Sequence, residues 1–127
     1  MIGGRRSERF RVWQLSDQLR AAVADLTSGE ALSGDHRLQA QIDDACGEVR
    51  RNIAEALAAD RDREFARFLR LARAAINELQ LGLRLALIKK YVAERDLKNV
   101  RETLATLYPA LCSLLANGHN SSDRRSA

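Results

Sequence analysis

Six arginines carry most of the chemistry this chain could do. Arg63, Arg67 and Arg70 recur at spacings of four and three, Arg73 follows, and Arg50 and Arg51 lie just upstream. Residues three and four apart share one face of a helix, so Arg63, Arg67 and Arg70 form a row with Arg73 further round. A guanidinium row spaced by helical turns can meet successive phosphates, each through two parallel N–H donors. The same row can instead be a solvated face that pairs with Glu55, Asp62 and Glu64. A second set, Asn52, Glu55, Asn77 and Glu78, sets polar groups beside apolar runs. Two carboxylates act as an acid-base pair only when they converge on one substrate, and Glu55 and Glu78 fall far apart in any helical hairpin. Asn52 borders the apolar seam near Arg67 and is expected to form hydrogen bonds that fix register.

The remaining reactive types point away from catalysis. Cys46 and Cys112 sit on apolar stripes without the close spacing of a metal or redox motif, so they read as small buried hydrophobes. His36 falls at a helix start and His119 in the tail, neither with a second ligand at i+4, which argues against a zinc or di-iron site. No glycine-rich phosphate loop and no nucleophile with a nearby base is present. No enzymatic activity, cofactor or metal is expected.

Those arginines need elements to hold them, and the composition says which. The chain has 127 residues, 46% hydrophobic and 30% charged, with one Pro and seven Gly. That is enough for one domain burying roughly two-thirds of its unfolded surface, far from disordered compositions. Apolar residues recur at threes and fours in four stretches, predicting an all-α protein with helices over about 8–26, 36–58, 61–91 and 94–116. The first stripe is Val12, Leu15, Leu19, Val23 and Leu26. The second is Leu38, Ile42, Ala45, Val49, Ile53 and Ala56, interrupted by Gly47, where a neighbouring backbone is expected to come close. Ser33 and Asp35 are both candidate N-caps of the second helix, and Asp60 is the expected N-cap of the third. The third carries Phe65, Leu69, Ala72, Ile76, Leu79, Leu83 and Ala86, plus an extra stripe, Leu81, Leu85, Ile88 and Val92, which one core does not need. That extra stripe is the candidate oligomer interface. Pro109 should kink the fourth helix near Leu107.

Short connections favour an antiparallel up-down-up-down four-helix bundle flanked by a flexible 1–7 and a disordered 117–127. With the turn at Ala59 and Asp60, Ile53 faces Phe65 and Phe68, while Ile42 faces Ile76 and Leu79. The longest apolar-dense run, Leu79 to Val92, is too short to span a bilayer, and no apolar segment follows the basic start as a secretory signal would require. The expectation is a cytoplasmic protein without membrane contact.

Several blocks then agree on one resemblance. Phe10-Arg11-Val12-Trp13-Gln14, Leu38-Gln39-Ala40-Gln41, Asn52-Ile53-Ala54-Glu55 and Glu64-Phe65-Ala66-Arg67-Phe68-Leu69 with Glu78-Leu79 resemble the four helix bundle protein family. That family was first noticed as reading frames inside intervening sequences of bacterial large-subunit ribosomal RNA genes. The match covers about Phe10 to Leu115. Two positions depart from the pattern: Ala56 stands for the family's Gly, and Ala74-Ala75 for its Gly-Ser. The resemblance implies a left-handed antiparallel bundle that assembles into rings, typically pentamers. A related branch, the accessory variability determinant of diversity-generating retroelements, is a basic pentamer that binds nucleic acid and a reverse transcriptase. By that resemblance the expected partners are copies of this chain, RNA or DNA, and a protein such as a reverse transcriptase. The charge fits: 18 Arg stand against 3 Lys, and the net charge is +4. Five copies would carry about +20, a field able to hold a polyanion.

Overall fold

The computed structural model describes the backbone of residues 2–126 and the side chains of residues 6–117. Four long helices dominate: α1 (Ile2–Thr27), α3 (His36–Ala58), α4 (Asp62–Ile88) and α5 (Lys98–Ser126). A one-turn helix, α2 (Glu30–Ser33), fills the first connection, and a 3₁₀ turn, Glu94–Leu97, leads into α5. The described residues include no strand. Helix contacts close a cycle, α1 to α3, α3 to α4, α4 to α5 and α5 back to α1. One continuous core lies inside it, holding the main stripes of α1, α3 and α4 but not the extra stripe of α4, with Leu19, Ile42, Ile53, Leu69, Ile76, Leu79, Leu107 and Leu111 fully enclosed.

Helix ends show where local chemistry decided and where it did not. Of the two candidate caps it is Asp35 that caps α3, its Oδ1 accepting the Leu38 amide at 3.1 Å, which satisfies one orphan donor of the first turn. Asp60 does not cap α4. That place belongs to Arg61, in extended backbone with no side-chain cap bond, and the turn is one residue longer than expected. The α4 helix also stops three residues early, at Ile88. Lys90 adopts a left-handed φ of 62°, and the Tyr91 and Lys90 amides fold back onto the carbonyls of Ala86 and Leu87. This is a Schellman stop with lysine at the position where glycine is usual. At the other ends, α1 begins at Ile2 and α5 continues to Ser126, across the segment read as a tail.

The early stop turns Tyr91 toward Asp35. The Tyr91 hydroxyl donates to Asp35 Oδ2 at 3.0 Å, and Lys89 Nζ reaches the same oxygen at 3.2 Å. One carboxylate therefore caps α3 and clasps the end of α4. The Leu38 amide first, then the Lys89 and Tyr91 bonds, hold the Asp35 pKa below its ordinary 3.8. Donating to Asp35 raises the Tyr91 pKa above its ordinary 10.0. A depressed carboxylate stabilises the fold above the ordinary value and loses that contribution as pH falls through its folded value; a raised phenol does the reverse at the alkaline end. The melting-temperature gap between wild type and Asp35→Asn should be flat between about pH 5 and 9 and should shrink below 3.8. The gap for Tyr91→Phe should shrink above 10.0. Thermal melts across pH read both.

Close helix approach falls at a different glycine from the one expected. A Cβ on Gly47 would meet nothing within 4 Å, whereas one on Gly82 would lie 2.8 Å from Ile42 Cγ1. Gly47 is exposed and Gly82 is buried, so Gly82 is where α3 and α4 are tightest. It also places Ile42 one turn beyond Leu79 on α4. Gly47→Ala should stabilise the fold by about 0.5–1 kcal/mol through reduced unfolded-state freedom. Gly82→Ala meets a fully enclosed Ile42, and a net loss of about 1–2 kcal/mol is expected after the helix-propensity gain. Urea midpoints of the two variants should move in opposite directions.

Candidate nucleic-acid interface

The outward face of α4 is one uninterrupted seam. Arg63, Arg67, Arg70, Ala74, Asn77, Leu81, Arg84 and Ile88 advance by fours and threes, and every one is exposed. The first half of this seam is basic. The second half is mixed, with Leu81 49% and Ile88 67% exposed on either side of exposed Arg84, while Leu85 and Val92 lean partly onto the core. Glu78 lies beside the seam, exposed, where the two halves meet.

The six candidate arginines divide on inspection. Arg50 is engaged within the bundle: its guanidinium lies 5.0 Å from the Trp13 ring centre and its Nη2 lies 3.3 Å from Asp17 Oδ1. It serves the α1–α3 contact. Arg51 pairs with Glu48 one turn back on its own helix. Arg67 rests over the ring of the neighbouring Phe68 at 5.2 Å, which leaves its N–H groups in solvent. Arg63, Arg70 and Arg73 have no ion pair with a carboxylate among the described residues, so pairing with Glu55 or Glu64 does not neutralise this row. Arg73 is half-buried, round the side of the helix.

The polar set separates too. Asn52 is buried, but its amide nitrogen donates to the Glu48 carbonyl at 2.8 Å and to Glu48 Oε2 at 3.4 Å. Both bonds stay within α3, so the cross-helix register bond expected of Asn52 is replaced by an intrahelical one. Glu55, Asn77 and Glu78 are exposed. No group of three or more metal-ligating side chains occurs among the described residues. Burial raises the Cys46 thiol pKa from 9.0 to about 11, with the Asp43 charge adding to it, so it is a thiol held inert in the core.

Tertiary structure adds residues that spacing within one helix could not reveal. Arg9 of α1 lies 4.5 Å from the centre of the Phe65 ring, which sets the start of α1 against the start of α4. Arg6 and Arg11 are exposed there, and Phe10 beside them is 62% exposed. Residues 6–14 and 48–74, brought to one end by these contacts, hold ten arginines and six carboxylates; the rest of the described chain holds more acids than bases. The charge is therefore polarised along the molecule. An arginine-rich start to the first helix was the available signal, and a separate reading of each helix missed it. No described helix is long and apolar enough to cross a membrane.

No curated protein matches this chain. A family model does, over residues 8–113, and that span runs from the arginine-rich start of α1 through most of α5. With all of the resembling blocks inside the matched span, the chain belongs to the 23S rRNA-intervening sequence protein family.

Proposed function

We propose that this protein is a non-enzymatic, self-associating bundle of the cytoplasm that binds RNA or DNA through the basic end shared by α1 and α4. The observation that carries this reading is the α4 seam, where an exposed arginine row shares one helix face with exposed Leu81 and Ile88. Leu81 and Ile88 join copies, in a ring of five by family resemblance, and the basic half of each copy then stands beside the next. Repetition turns a modest charge into a polyanion-binding surface.

The proposed arrangement is an antiparallel up-down-up-down bundle. Supporting it, Gln39 Nε2 donates to the Thr27 carbonyl at 2.9 Å, linking the end of α1 to the start of α3. The Asp35 clasp does the same for α3 and α4. A bend of α5 at Pro109, near Leu107, belongs to the same proposal. The test is a gel shift with structured RNA and with duplex DNA across a salt series. Binding should be tight at low salt and should weaken by orders of magnitude between about 50 and 200 mM. Absence of binding at low salt, or tight binding indifferent to salt, would remove the reading. Exposed Leu81 and Ile88 support a second reading, an adaptor whose apolar face receives a protein partner such as a reverse transcriptase. A partner that binds only while the chain is monomeric would favour it.

A further inference from the structure

A groove of about 530 Å³ runs between α4 and α5, away from the arginine row. Buried Leu83 and Leu104 form its floor. Its size falls within the range of roughly 300–1,000 Å³ usual for small-ligand sites, and two kinds of recognition chemistry meet at its rim.

The first is charge. Arg84 is exposed and has no ion-pair partner among the described residues, while Arg101 is held only by a solvent-exposed pair with Glu94 at 3.1 Å. Such pairs are weak and yield readily to a phosphate. The second is an aromatic face. Tyr108 is half-buried in the groove, and among the described residues no cation is stacked on its ring.

Cationic rim and aromatic face are the complement of a nucleotide's phosphate and base face. We propose that this groove holds one nucleotide unit of a single-stranded nucleic acid, its phosphate on Arg84 and Arg101 and its base stacked on Tyr108. The inference rests on the nucleic-acid reading above and refines it. The arginine row grips any polyanion through its backbone, whereas the groove admits only an unpaired base and so selects single strands.

The experiment compares fluorescence anisotropy of a labelled single strand of about 12 nucleotides, within the span such sites cover, with its duplex, for wild type, Tyr108→Leu, Tyr108→Phe and Arg84→Ala/Arg101→Ala. Tyr108→Leu should weaken single-strand binding by about five- to a hundredfold, the loss of one stacked base. Duplex binding should stay unchanged, Tyr108→Phe should retain wild-type affinity, and the double Ala variant should lose single-strand affinity selectively. Equal losses on both probes, or no loss on either, overturn the groove. A parallel NMR titration of wild type with adenosine 5′-monophosphate separates the two readings. Shifts centred on Tyr108 and Ala105 support the groove even if no strand binds, and their absence at millimolar nucleotide overturns it. Circular dichroism melts confirm that each variant is folded; should Tyr108→Leu unfold, the Arg84→Ala/Arg101→Ala comparison decides.

Discussion

Replacing Arg63, Arg67 and Arg70 together with Glu is expected to lower nucleic-acid affinity by about a thousandfold at about 50 mM salt. Each phosphate that is no longer neutralised takes about 0.7–0.9 from the slope of log affinity against log salt, so three flatten it by about 2–3 for every copy engaged. The fold should not notice. All three side chains are exposed and none pairs with a described carboxylate, and substitutions at such sites usually fall within about 0.5 kcal/mol. Arg63 lies in the first turn of α4, which already holds Asp62 and Glu64, where another negative charge suits the helix dipole. A salt series on the triple variant beside wild type reads the result. An unchanged slope would mean that the arginine row touches no phosphate. Arg50→Glu is a poor choice for the same purpose, since it would break the Trp13 and Asp17 contacts and confuse binding with stability.

Replacing Leu81 and Leu85 with Glu should reduce the particle to its 14.2 kDa monomer in light scattering. A carboxylate buried without a partner at an interface costs several kcal/mol, and a closed ring repeats that cost at every junction. Leu81 is 49% exposed in the single chain, so its change leaves the core intact. Leu85 leans on the core, and its replacement weakens the fold as well. Leu81→Glu/Ile88→Glu is therefore the cleaner companion, because Ile88 is 67% exposed. A mass unchanged in both variants would place the interface elsewhere, and a wild type that is already monomeric would end the assembly reading. Loss of assembly should also weaken nucleic-acid binding, as the arginine rows of neighbouring copies separate.

The long elements were legible because each needs only its own periodicity. Val12, Leu15, Leu19 and Val23 name the buried face of α1 without knowledge of any partner, and all four are buried. The Asp35 cap was legible for the same reason, since a side chain bonding an amide three residues on is a local event. Less legible were features set by two segments at once. The end of α4 carries no glycine signal; Lys90 takes the left-handed position where Tyr91 and Lys89 meet Asp35, more than fifty residues upstream. Gly47 and Gly82 look alike in sequence, and only the seat of Ile42 tells them apart. Asn52 was rightly placed at the seam, yet spacing does not say which acceptor its amide takes, and it takes Glu48 on its own helix.

The site divides along the same line. Helical spacing is arithmetic on a single segment, so the arginine row and the second apolar stripe could be assigned to one long helix from residue order and nothing more. Which arginines remain free could not, because that depends on where Trp13 and Asp17 of another helix come to rest. Packing of α1 beside α3, with Arg9 reaching across to the Phe65 ring, also brought Arg6, Arg9 and Arg11 to the same end, and closure of the core left Leu81 and Ile88 in solvent. Side-chain periodicity is a property of one helix, whereas charge polarity, exposure and pairing belong to the assembled bundle, where residues far apart in sequence become neighbours.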